Sequence, residues 1–132
     1  MTDINSKRGA TLAAKTPPDS SEYEEIEIEE AGTVERLALR IYPGAEATLE
    51  LVPLLVSGGS TVPLIDLVGQ SFVDGDDDHW EWDLVQPVEQ GDRVRVRARN
   101  RDPDHPHRWR AVVEVDHHSG SSRFIDSLTG VF

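Results

Sequence analysis

Through most of the chain, apolar side chains recur at every second position, the spacing of half-buried β-strands. Residues 22–30 set Ile26 and Ile28 among glutamates, which predicts a strand with an acidic outer face. Residues 33–42 alternate through Leu37, Leu39 and Ile41 and close at Pro43-Gly44. Residues 47–57 start with Leu49 and Leu51 in alternation, then run almost continuously apolar from Val52 to Val56. Pro53 inside that run marks a sheet edge or a bulge. Beyond Gly58-Gly59, residues 61–68 form a further apolar segment containing Pro63. Trp80, Trp82 and Leu84 alternate with Glu81 and Asp83. Val94, Val96 and Ala98 alternate with Arg93, Arg95, Arg97 and Arg99, and Trp109, Ala111, Val113 and Val115 with Arg110, Glu114 and Asp116. Residues 123–132 offer Phe124, Ile125, Leu128 and Phe132 to a last short strand.

No segment has helical spacing. Roughly seven or eight short strands, punctuated by Gly, Pro and Asp about every ten residues, predict an all-β fold, an antiparallel β-sandwich of the jelly-roll kind. Residues 1–21 have no hydrophobic period and carry Pro17-Pro18 before Asp19-Ser20-Ser21. They are expected to form a flexible or extended N-terminal arm ahead of a sandwich domain over residues 22–132. The arginine strand and the Trp109 strand are expected to form a hairpin. Its register would set Arg99 opposite Arg110, Arg95 opposite Glu114 and Arg93 opposite Asp116.

Charge narrows the picture. Asp and Glu number 25 against 13 Lys and Arg, a formal net charge of −12, and Lys7 and Lys15 are the only lysines. A carboxylate-rich, lysine-poor surface suits a protein working in brine, where salt screens like-charge repulsion. Arginine replacing lysine through codon bias in a GC-rich genome is the plainer alternative. So acidic a chain would repel phosphates, so nucleic acid is not an expected partner. No apolar run approaches the roughly 18 residues of a membrane span. The first residues hold no continuous apolar stretch of the secretory kind. The absence of cysteine excludes disulfides, thiolate metal sites and a thiol nucleophile.

Two sets of residues are candidates for chemistry. Lys7, Arg8 and Lys15 make the arm locally basic, and Arg97, Arg99 and Arg110 are expected to cluster near the hairpin loop without enough acidic company. Guanidinium forks grip carboxylates, so both groups are candidate partner-binding residues. Asp74, Asp76 and Asp78 repeat the first three ligand positions of a calcium loop. His79 stands where that pattern needs glycine and Val85 where it needs glutamate. The candidate cofactor is therefore a loosely held divalent cation, calcium or magnesium. Of the histidines at 79, 105, 107, 117 and 118, the last four fall at opposite ends of the expected hairpin and do not easily meet in one site. The tryptophans have the parity of core residues, or alternatively of a sugar-stacking platform. No nucleophile elbow or phosphate-cradling loop occurs, and no enzymatic activity is expected.

The run Val88-Glu89-Gln90-Gly91-Asp92-Arg93-Val94-Arg95-Val96, then residues 98–102, then residues 110–115, resembles the closing strands of jelly-roll modules in tailed-virus virions. The acidic composition would make the host a halophilic archaeon. The resemblance implies a structural virion protein of the capsid-decoration, turret or tail-associated type, made in the host cytoplasm. It would act through contacts with its own copies and with other capsid proteins. Removing residues 1–21 is then expected to leave the fold intact and loosen assembly. The alternative function is a small binding module for carbohydrate or a metal ion.

Overall fold

The computed structural model describes residues 7–67 and 69–117, with Lys7 and Arg8 described in their backbone only. Eight strands follow one another: β1 (Lys7–Thr16), β2 (Ser20–Glu27), β3 (Gly32–Ile41), β4 (Leu49–Ser57), β5 (Ser60–Pro63), β6 (Asp78–Val88), β7 (Arg93–Asn100) and β8 (His107–His117). They form two four-stranded antiparallel sheets, β1-β8-β3-β6 and β2-β7-β4-β5. The pairs nest: β1 lies on β8, β2 on β7, β3 on β6 and β4 on β5. A long hairpin rolled across two sheets gives this order, which is the jelly roll. No helix occurs among the described residues.

The period-two pattern explains the layers. Val94, Val96 and Ala98 of β7 and Trp109, Ala111 and Val113 of β8 are all buried, while the arginines between them face outward. The two inner faces close on Leu37, Leu39, Ile41, Leu49 and Leu51, each fully buried. Trp109 is 1% exposed, and its indole N–H donates to Thr16 Oγ1 at 3.0 Å. A buried aromatic of this kind is worth about 3–5 kcal/mol against alanine. Trp80 and Trp82 stand on the edge strand β6 and are only partly buried, packed against the same core.

Three expectations change. The arm does not begin the fold from outside. Residues 7–16 are a full strand, paired with β8 over ten residue positions from Lys7↔Asp116 to Thr16↔His107. Its inward side chains are Ala10, Leu12, Ala14 and Thr16, too small to raise a hydrophobic period. The expected β7–β8 hairpin does not form either. The two strands lie in opposite sheets, so Arg93 neighbours Glu27 and Val56, and Arg95 neighbours Glu25 and Leu54. The apolar segment after Gly58-Gly59 is a strand only as far as Pro63. Residues 118–132, including the expected last strand and His118, lie outside the described residues.

Candidate functional site

The outer face of the second sheet carries the arginine stripe. Its two ends are matched by carboxylates. Arg95 Nε donates to Glu25 at 2.8 Å and the guanidinium lies over the Tyr23 ring at 4.0 Å. Arg93 reaches the same Glu25 at 3.6 Å. Arg101, just past the strand, pairs with Glu50 at 2.8 Å and donates to the Ala47 carbonyl at 2.9 Å. Arg97 and Arg99, between these pairs, are exposed and have no ion pair among the described residues. Their cross-strand neighbours are Tyr23 and Val52 for Arg97, Ser21 and Glu50 for Arg99.

These two arginines line a groove. Three hollows of about 430, 480 and 540 Å³ share them in series. The first lies between Asp19, Ser21 and Arg101. The second runs over Val52 between Arg99 and Phe72. The third is the apolar end, over Leu54 and Pro63 and under Ile65 and Leu67. The loop after β5 builds that wall. Leu64 is buried, and Val73 bonds Leu51 through both backbone groups at 2.9 and 3.0 Å, which holds Ser71 and Phe72 beside β4. The cationic end is flanked by strained backbone: Asp19 on one side and Glu46-Ala47 on the other have φ of 48°, 47° and 64°. Left-handed backbone is costly for Glu and Ala, and such strain gathers at binding sites.

The other candidate residues distribute differently. Arg110 and Lys15 project from the first sheet, so Arg110 does not cluster with Arg97 and Arg99. Lys15 instead neighbours Arg108, and Arg110 neighbours Arg40. Arg108 and Arg40 both lie over the Tyr42 ring, at 5.2 and 5.1 Å. Sequence reasoning missed Arg108 because the assumed hairpin drew attention to its neighbour. Arg36, on the same face, is bound by Glu114 and Glu81, which in that order raise its pKa, and it in turn lowers that of Glu81. The side chains of Lys7 and Arg8 are not described.

The aspartates of the acidic loop make local contacts. Asp76 accepts the Gly44 N–H at 2.6 Å, Asp78 accepts the Asp76 N–H at 2.9 Å, and Asp77 is paired with Arg40. A Cβ at Gly75 would meet the Asp78 carboxylate oxygen at 2.1 Å, so a larger residue there needs that side chain to move. Among the described residues no three His, Cys, Asp or Glu side chains come together as a metal site. His107 Nε2 bonds Asp102 at 2.8 Å at one end of β8, whereas His117 reaches the Glu30 carbonyl at the other.

No family model matches the chain, and no curated protein does. Among solved structures, a mitogen derived from Yersinia pseudotuberculosis is similar at a TM-score of 0.53 and 12% identity, over 85% of this chain and 88% of that one. The SPBc2 prophage-derived protein YomS is similar at 0.53 and 14% identity, over 82% and 94%. The structure of infectious bursal disease virus, Gt strain, reaches 0.44 at 12% identity, over 88% of this chain and 33% of that chain, too distant to carry an argument. At these identities the likeness shows the fold alone.

Proposed function

We propose that the chain is a structural assembly subunit rather than an enzyme, a virion protein of the class whose closing strands it resembles. It docks onto an acidic protein surface through the Arg97–Arg99 groove. One observation carries this reading. Carboxylates outnumber cations 25 to 13, yet among the described residues Arg97 and Arg99 have no ion pair and stand between arginines that do. Two free guanidinium forks beside an apolar floor suit a partner that offers carboxylates next to apolar side chains. In brine the Coulomb attraction is screened, so bidentate geometry and the Val52–Leu67 end of the groove hold the contact.

The test uses a fluorescently labelled oligoglutamate followed by anisotropy. The full chain binds it, and Arg97→Ser with Arg99→Ser weakens binding by about tenfold or more. Equal binding by the variant contradicts the groove. Tighter binding of oligogalacturonate than of oligoglutamate would move the function to a carbohydrate-binding module.

A further inference from the structure

The first sheet has its own unpaired cations, on the face opposite the groove. Lys15, Arg108 and Arg110 are exposed and have no carboxylate partner among the described residues. They are adjacent in register, Lys15 beside Arg108 on the paired strands β1 and β8, with Arg110 beside Arg40 on β3. Tyr42 sits between the Arg40 and Arg108 guanidinium groups and holds both by stacking. A cation held by stacking loses less freedom when it binds.

The complement is on the same chain. Glu22, Glu24, Glu27, Glu29 and Glu30 also have no ion pair among the described residues, and Glu25 alone in that stretch is paired. They lie on or just beyond β2, which among the described residues is an edge strand paired only with β7. The far glutamates, Glu27 and Glu29, cannot reach these cations within one molecule. Lys15 is at the end of the sandwich where Thr16 faces His107 and Ser20 faces Asn100. Glu27 is at the other end, opposite Arg93. At about 3.4 Å per residue along β2 they are roughly 25 Å apart, far beyond ion-pair reach and beyond the ~8 Å screening length of physiological salt.

We infer that the Tyr42 corner of the first sheet is a second docking surface, and that its occupant is the glutamate-bearing β2 edge of another copy of this chain. The contact is head-to-tail, so copies link into a ring or a filament while each keeps its groove free for a different acidic partner. The chain is then a connector: one face joins its copies, the other fastens the string to something else.

Light scattering at the lowest salt that keeps the chain folded tests this with charge-reversed pairs. The corner variant is Arg108→Glu with Arg110→Glu, and the edge variant is Glu27→Arg with Glu29→Arg. The full chain associates as concentration rises, and each variant alone stays monomeric, its association weakened by about tenfold or more. Mixed one to one, the variants associate again, because each supplies the charge that the other lacks. Circular dichroism verifies the folds, and Arg108→Gln with Arg110→Gln replaces the reversal if that disturbs the sheet. The groove variant Arg97→Ser with Arg99→Ser associates like the full chain, which separates this contact from the groove's. A chain monomeric up to roughly 1 mM, variants that associate unchanged, or a mixture that stays monomeric overturns the inference.

Discussion

Asp102 ties down the end of the sandwich that carries the groove. Its carboxylate accepts the Asp104 N–H at 2.9 Å and bonds His107 Nε2 at 2.8 Å. The Asp104 amide first, and then His107, hold its pKa at about 2 instead of 3.8. A depressed carboxyl contributes stability above its unfolded value and loses it as pH falls toward the folded one. Thermal melts should therefore put the protein above its Asp102→Asn variant at neutral pH, with the gap closing between pH 3.8 and about 2. A gap that stays constant through that window would contradict the assignment. Next to it Asn100, 1% exposed, donates to the carbonyls of Thr16, Pro17 and His105 at 3.1, 3.2 and 2.8 Å. In the sequence these residues read as an ordinary polar loop. The Asn-Arg-Asp spacing is consistent with side chains that cap nearby backbone, but nothing local announces that one carbonyl Asn100 reaches, that of Thr16, belongs to a strand 84 residues away. Arg97 and Arg99 were legible, because a period of two fixes the face of a side chain whatever the neighbouring strand.

Strand β1 is where pattern reading failed, and the cause is side-chain size. An inward row of Ala10, Leu12, Ala14 and Thr16 fills a narrow place beside β8 but leaves no hydrophobic signature. Its removal exposes one whole edge of β8 and strips Trp109 of the Thr16 hydroxyl that satisfies its N–H. A chain lacking residues 1–19 should accordingly lose its cooperative melting transition, rather than fold normally and assemble poorly. Melting of the shortened chain at the temperature of the full one would contradict this. The β7–β8 pairing failed for a topological reason. Each strand's alternation was readable, but alternation does not say whether the residues joining two strands turn back within a sheet or cross to the opposite one. Among the eight described strands only β4 and β5 are consecutive partners.

For the whole molecule, the all-β class and most of the core were carried by the periodic apolar residues, and the acidic balance by composition alone. The distribution of charge was not. Among the described residues, Arg36, Arg40, Arg93, Arg95 and Arg101 have carboxylate partners, while Lys15, Arg97, Arg99, Arg108 and Arg110 do not. The unpaired five divide between two opposite faces, a division that depends on which sheet each strand joins. Exposed ion pairs are worth little to stability, about 0–1 kcal/mol, so leaving five cations unpaired costs the fold almost nothing. The unpaired pair on the second sheet bears most directly on function. The arginine Nε–Hε signals of the full chain should be followed by NMR during titration with oligoglutamate. Arg97 and Arg99 should shift and sharpen as the peptide is added, while Arg95 and Arg101, already held by Glu25 and Glu50, stay in place. Shifts spread evenly over all four, or absent from Arg97 and Arg99, would contradict the groove as the docking site.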